Sequence, residues 1–360
     1  MAAHHKISSP PIIRLGVLGW IRANLFNGVL NSCITLLLLF ALWKIVPPVI
    51  KWALIDSLWT STNDQCREAA NGACWSIIYH NLRFITFGFY PYEQQWRPLA
   101  SMLLFVGLLF YSRNRARWKR SLLYLWGGGI VGIGLLMRGG VLGLPHVETA
   151  KWGGLPLTFL LAFFGLTIAY PLGVVLALGR RSNMPIIKAL SVVYIELIRG
   201  VPLISLLFMS SIVFPLFLPK GVTIDKILRA QVAIILFTAA YIAEIVRGGL
   251  QSIPKGQYEA AESIGLNYYQ TMRLIVLPQA LKVVIPPSMG MLISAFKDTS
   301  LVVIIALFDL LKTTQVVVAD PKWMGFSAEA YIFIAAIYFI CCSFMSQYSR
   351  RLERELKTDL

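Results

Sequence analysis

The sequence predicts an all-α integral membrane protein with about eight transmembrane helices. Three observations carry this reading. Hydrophobic residues make up 57% of the 360-residue chain and charged ones only 14%, against roughly half and about a quarter in a soluble domain. Mean hydropathy is +0.68, more apolar side chain than a soluble core can hide. Lys and Arg gather in short stretches between apolar runs. The net charge of +16 therefore reads as an orientation signal rather than as a nucleic-acid-binding surface.

At about 20 apolar residues per crossing, the spans fall at roughly 30–50, 98–112, 121–143, 155–179, 188–218, 227–247, 283–308 and 329–348. The first follows a polar, weakly basic lead containing Lys6, Arg14 and Arg22. It is too long for a cleaved signal and lacks a small-residue cleavage site. His4 and His5 are adjacent without ligand spacing, so no metal site is expected. A long polar loop, 51–97, follows. It holds Cys66, Cys74 and the run GACWSIIYHNLRFITFGFYP from Gly72 to Pro91. In an oxidising compartment Cys66 and Cys74 are a possible disulfide; spacing alone leaves a bridge and two free thiols both open. Cys33, Cys341 and Cys342 fall in spans and read as small packing residues. The second span is short. The fifth is long and contains Pro202 and Pro215, which predicts a kink or a break.

The basic residues fall on one side of this alternation. They are Arg113, Arg115, Arg117, Lys119 and Arg120, then Arg180, Arg181 and Lys188, then Arg247, Lys255, Arg273 and Lys282, and finally Arg350, Arg351 and Arg354. On the other side Glu148 offsets Lys151 and Asp320 offsets Lys322. The positive-inside rule then places both termini in the cytoplasm.

One polar stretch interrupts the oily pattern. EAAESIGLNYYQTMRLIVLPQA runs from Glu259 to Ala280. Pro254 can open a helix over 255–264, and Gly265 can end it in a left-handed conformation. Asn267 can cap a second helix, with Gln270 completing a capping box. Tyr268, Met272, Ile275 and Val276 form that helix's apolar face, and Pro278 is expected to halt it. Ala260 and Ala261 allow close approach, and Glu259 and Glu262 flank them with negative charge. Such a helix suits docking into a groove on a partner protein. An amphipathic loop on the membrane surface is the other reading, which the acidic pair opposes, because anionic lipid repels it.

The spacing Glu259-Ala260-Ala261, Gly265, Ile275, Leu277-Pro278 resembles the EAA signature of ABC-importer permease subunits. The stretches YIELIRGVPL (Tyr194–Leu203), YIAEIVRGGLQSIPKGQYEAA (Tyr241–Ala261) and FKDTSLV (Phe296–Val302) are similar to the polar amino-acid branch of that family. The additional N-terminal spans and GACW…FGFYP…WRP resemble the M-type membrane subunit of general L-amino-acid ABC transporters. The resemblance implies a MetI-like permease core in the C-terminal two-thirds. Residues 151–350 would form five spans, with 255–278 as the cytoplasmic coupling segment. Residues 1–150 would be an extension of about three spans, and 351–360 a cytoplasmic tail. It implies as partners two ATP-binding subunits, a homologous permease subunit and a periplasmic amino-acid-binding protein, in a bacterial inner membrane. The expected role is a permease subunit of an ATP-driven importer of L-amino acids. No cofactor is expected on this chain; ATP and Mg would be used by the partner ATPase.

Ionisable side chains at bilayer depth need partners or a wet cavity. Lys297-Asp298-Thr299-Ser300 sits near the middle of the seventh predicted span. Asp298, Thr299 and Ser300 are candidates for contact with a zwitterionic substrate or for a gate; a buried ion pair fixing subunit packing is the alternative. Glu196/Arg199 and Glu244/Arg247 repeat one pattern, Glu, two aliphatics, Arg, Gly. Each pair shares a helix face, so pairing within a helix or across helices, Glu196 to Arg247, could close an inward gate or simply bridge helices.

No GxxxxGK[ST] loop is present, so the chain is not expected to bind ATP. No catalytic residues are expected: His80 and His146 are isolated, and neither Ser-His-Asp nor Cys-His groupings occur. A secondary amino-acid transporter is the alternative function; it would work without ATPase subunits and without need of 255–278. A membrane-embedded enzyme would require interfacial carboxylate or histidine clusters, and the sequence offers none.

Overall fold

A computed structural model describes residues 16–69, 71–114, 117–141 and 143–357. Lys6, Arg14, His4, His5 and Arg115 lie outside the described residues. The chain divides into two compact units, one through Ser76 and one from Ile77 onward.

In the first unit, α1 (Val17–Asn24) precedes α2 (Val29–Ile50). Pro47 and Pro48 lie inside α2 and remove two ladder donors. The winding then loosens into a π turn, Lys51–Ile55, and the apolar stretch Val29–Ile55 is long enough to cross a bilayer. α3 (Asn63–Glu68) starts from a capping box in which Thr62 and Gln65 satisfy each other's backbone donors. Cys66 and Cys74 are joined by a disulfide, with Cα atoms 5.7 Å apart. Trp75 donates its indole N–H to the Ala53 carbonyl at 2.8 Å and stacks on Trp59.

The second unit contains α4 (Ser76–Phe87) from its second residue on, α5 (Trp96–Ser112), α6 (Arg120–Arg138), α7 (Gly154–Arg180), α8 (Pro185–Gly200), α9 (Leu203–Phe208) and α10 (Lys226–Gln251). They are followed by α11 (Lys255–Ser263), α12 (Tyr268–Thr271), α13 (Leu277–Asp298), α14 (Leu310–Ala319) and α15 (Ser327–Lys357). Its centre is the pair α7 and α10, against which α13 packs. Small residues let the backbones approach: Ala230, Ala233, Ala239, Ala240 and Ala243 of α10 are all buried. A Cβ on Gly173 of α7 would come within 2.6 Å of the Ile242 side chain. One apolar cluster gathers Leu157, Leu161, Leu207, Ile234 and Val302; a second gathers Ile195, Ile242, Val246, Leu250 and Val276.

The spans differ from the sequence reading at the second and the seventh, and the break expected in the fifth is present. α5 has 17 residues, about 25 Å at helical rise, short of a ~30 Å hydrocarbon core. Among the described residues six other helices are long and apolar enough to cross. The expected fifth span is two helices, α8 and α9 with its continuation to Phe217, which meet at 103°. Val201 is extended (φ −110°, ψ 133°), as the residue before a proline should be, and Pro202 opens the second piece. The seventh span is part of a helical run of 38 residues, Tyr268–Ile305, that begins well before the expected Val283. Pro278 does not halt it. A π turn, Met272–Val276, precedes Pro278, which sits in the first turn of α13, where a missing donor is tolerated.

α5 and α6 are tied at one end by Arg97, which is fully buried. It donates to the carbonyl of Leu136 (2.7 Å) in the last turn of α6, where a cation is favoured, and to that of Pro145 (2.9 Å) in the loop beyond. At the far end of the Tyr268–Ile305 run the winding tightens to a 3-10 turn, Thr299–Ile305. Ala306 then turns left-handed (φ 52°). Asp309, wholly buried, caps α14 by accepting from the N–H groups of Leu311 and Lys312. Thr158 accepts from the Leu310 N–H at 3.1 Å, and Thr313 donates to the Ile85 carbonyl at 2.9 Å. α14 is thereby fixed to α7 and α4.

Candidate functional site

The polar segment folds as two short helices around a glycine. Pro254 stands immediately before α11 as its N-cap. Gly265 has φ +79° and completes a Schellman stop. Its N–H donates to the Glu262 carbonyl at 2.9 Å, and the Leu266 N–H reaches the Ala261 carbonyl at 3.1 Å. Asn267 and Gln270 form a reciprocal capping box at 2.9 and 3.0 Å, which starts α12.

One face of this segment is seated and the other is displayed. Ala261 is fully buried, and α11 packs on the π turn of Met272–Val276. Met272 and Val276 are buried and Ile275 is half-buried, whereas Tyr268 is 65% exposed. Tyr268 therefore lies off the apolar face that helical spacing assigned to it, because the π turn shifts the register. Leu277 is half-buried, and Pro278 is exposed. Two long side chains brace the seat. Arg181 donates to the Leu250 carbonyl (3.1 Å) and to the Tyr258 hydroxyl (3.2 Å). Gln279 donates to Gln257 at 3.0 Å. The displayed face carries Glu259, Ala260, Glu262 and Ile264, the last 72% exposed.

Directly behind the seat lies an ion-pair network. Glu244 of α10 accepts from Arg180 of α7 (2.9 Å), from Arg247 one turn on (2.8 Å) and, at 3.5 Å, faces Arg199 of α8. Arg180 also bonds Glu196 at 2.8 Å. The Glu244–Arg247 pair is the within-helix pairing the repeat allows. The other half of the repeat is wired differently: Glu196 reaches α7, and Arg199 reaches α10. The cross-helix alternative, a direct Glu196–Arg247 bridge, is not among the ion pairs of the described residues; Arg180 stands between the two carboxylates instead. Three guanidinium groups around two carboxylates leave one net positive charge among these residues. Glu196 keeps 55% of its side chain exposed, against 17% for Glu244.

The third candidate group lies elsewhere. Lys297 to Ser300 sits where α13 gives way to the 3-10 turn, toward the α14 end of the run rather than at its middle. Thr299 is fully buried and donates to the Phe296 carbonyl at 2.7 Å; Ser300 donates to the Lys297 carbonyl at 2.7 Å. Both hydroxyls thus serve the helix-to-turn transition. Asp298 is half-buried. The structure therefore keeps the 196–247 residues together and holds 298–300 apart from them.

Arg180, Arg181 and Asp309 were not singled out from the sequence. The two arginines read there as loop charges; their place at the end of a long apolar span was the available signal. Asp309 followed the predicted span edge, and its burial depends on contacts with Thr158 and α4 that no local pattern announces. Burial pushes the Asp309 carboxyl up to about 7, against the pull of the backbone N–H groups it caps.

Comparisons with known proteins agree in direction. The family described as binding-protein-dependent transport system inner membrane component matches residues 169–358. An inner membrane amino-acid ABC transporter permease protein of Escherichia coli (strain K12) is 46% identical, over 94% of this chain and 93% of its own length. A glutamate/glutamine/aspartate/asparagine transport system permease protein of Rhodobacter capsulatus is 38% identical, over 97% of this chain and 96% of its own length. A solved amino acid ABC transporter, crystallised with histidines, superposes with a TM-score of 0.51 at 32% identity, covering 56% of this chain and 92% of that one.

Proposed function

The chain belongs to the binding-protein-dependent transport system inner membrane components, and from that premise we propose that it is the permease subunit of an ATP-driven importer of L-amino acids. Family membership sets aside the secondary-transporter alternative. It also implies ATP-binding subunits and a further permease as partners. A periplasmic binding protein delivering the amino acid completes the proposed assembly, and ATP with Mg is used on the ATPase subunits.

The observation that carries this reading is the seated, two-faced 255–278 segment. Glu259, Ala260 and Ile264 face outward to meet an ATPase groove. Ala261, Tyr258 and Gln257 hold the same helix to α7, α10 and α13. A push on the outer face is delivered to those spans rather than absorbed in a loop. The docked contact must differ between the two transport states for ATP to bias them.

The translocation path is proposed to run along α8. Its outer face bears Ile186, Leu190, Val193 and Leu197, all exposed, together with half-exposed Glu196. Lipid would not accept that carboxylate; a second permease subunit or an aqueous path would. Glu196, Arg199, Glu244 and Arg247, with Arg180, then form the inward gate, while Asp298, Thr299 and Ser300 set the bend at the opposite end. Both termini are assigned to the cytoplasm. Arg113 at the end of α5 and Arg350 near the end of α15 line one cavity, so these two helices finish on the same side.

The test places Ile264→Cys in a chain whose Cys33, Cys341 and Cys342 are serine. In the assembled complex it should cross-link to the ATP-hydrolysing subunit. Labelling of that cysteine by an impermeant reagent from outside intact cells would overturn the proposal.

A further inference from the structure

Two cavities adjoin near the end of α15. The larger, about 580 Å³, is a cleft between α5, α7, α13 and α15, walled by side chains such as Phe105, Phe163, Leu166, Leu292, Phe296 and Met345. The smaller, about 330 Å³, is lined by Arg113, Gln347, Arg350, Arg351 and Arg354. Phe344 and Tyr348 line both, so the apolar cleft opens into the basic one. Among the described residues neither lining contains a carboxylate.

The acidic neighbours do not cancel this charge. Arg351 donates to Glu355 at 2.8 Å, and Glu353 lies on the same helix. The four lining arginines, Arg113 after α5 and Arg350, Arg351 and Arg354 of α15, outnumber these two glutamates by two. Arg354 donates through Nε to the Arg350 carbonyl at 3.2 Å. Each guanidinium carries five N–H donors, so an arginine can hold a protein partner and an anion together. Trp118 donates to the Ser112 carbonyl at 2.8 Å, and Trp126 donates to the Ser112 hydroxyl at 2.8 Å. Indoles so placed mark the level of a membrane interface beside Arg113.

We propose that this composite cavity is a binding site for an anionic phospholipid. One acyl chain lies in the cleft between α5, α7, α13 and α15, and the phosphate and headgroup sit among Arg113, Arg350, Arg351 and Arg354. A basic pocket at the mouth of an apolar interhelical cleft matches an amphiphile with one negative end. A zwitterionic lipid offers no net charge to the arginines. A free phosphate makes no use of the cleft. The site joins the α5–α6 hairpin to α7 and α15, so its occupant fastens the additional hairpin to the permease core. This inference does not rest on the transport reading.

The full chain, purified in detergent and stripped of lipid, is offered phosphatidylglycerol or phosphatidylcholine, and retained lipid is read by native mass spectrometry. Phosphatidylglycerol should be retained in clear excess. Arg113→Gln with Arg350→Gln should lower its retention about fivefold per arginine and leave phosphatidylcholine unchanged. The corresponding lysine pair should restore it. Leu109→Trp, which narrows the cleft at an exposed wall position, should lower retention while the arginines remain. Equal retention of the two lipids would overturn the proposal, as would full retention by the glutamine pair. Glycerophosphoglycerol competing as well as the intact lipid would overturn the acyl half and reduce the site to a headgroup pocket. The thermal midpoint of each variant, expected unchanged without lipid, separates lost binding from lost folding.

Discussion

The helical run from Tyr268 to Ile305 meets the rest of the chain in opposite ways at its two ends. At one end it leaves a loosened π turn and an exposed pair of short helices, held by Arg181, Gln279 and the buried Ala261. At the other it tightens to a 3-10 turn and enters a buried corner where Thr158, Thr313 and Asp309 fix α14. Polar residues do both jobs, but the first set is displayed and the second enclosed. The contrast suits a lever with one working end and one anchored end.

The most severe way to break this comparison is at the seat. Ala261→Glu forces a carboxylate into a fully buried position, at a cost of several kcal/mol, on the order of that for an unpaired buried ion. ATP-driven uptake should fall by about two orders of magnitude, with loss of co-purifying ATPase. Uptake near the wild-type rate would show that α11 need not be seated.

Glu244→Gln comes next, because one carboxylate serves three arginines. Removing it should cost about 3–5 kcal/mol and lower the thermal midpoint in detergent by roughly 5–10 °C. Glu196→Gln should cost under ~1 kcal/mol, since Arg180 keeps Glu244. Equal losses in the two variants would contradict the unequal wiring. Reduced uptake by Glu196→Gln with the assembly and midpoint intact would sharpen its assignment to the path.

The anchored end is distinguished by pH. The Asp309 carboxyl is raised by burial from 3.8 to about 7 in the folded state. The folded protein therefore binds this proton more tightly than the unfolded chain, and the favourable contribution is complete below about pH 4. It declines as pH rises through about 7 and changes little above that. Between about pH 5 and 8 the midpoint of the wild type should drop further than that of Asp309→Asn, whose amide oxygen still caps α14. Parallel curves would mean that Asp309 is not the responsible group.

Gly265→Ala should have the smallest effect. A side chain at φ +79° costs about 1 kcal/mol, a shift of roughly 2–4 °C. Uptake is expected to fall about two- to fivefold, measured with a labelled amino acid in reconstituted vesicles.

What the sequence disclosed follows the range of the interactions. The Asn267 capping box, the Gly265 stop and the break at Pro202 were legible because each is decided within a few residues. The apolar runs located nearly every span for the same reason. The wiring of Glu196 to Arg180 was not legible, since it depends on how α7, α8 and α10 cross. Pro278 misled because its local rule assumes a regular helix ahead of it, and the π turn supplies another solution. Asp309 escaped notice because its burial is created by partners as distant in sequence as Thr158.

The π turn has a further consequence. Its extra residue clocks everything ahead of it around the helix axis by about 100°. Deleting one residue from Met272–Val276 would restore ordinary winding while leaving the side chains of the displayed helix unchanged. The knuckle at Ala260 would then point to a different azimuth, and a neighbour's socket would meet the wrong face.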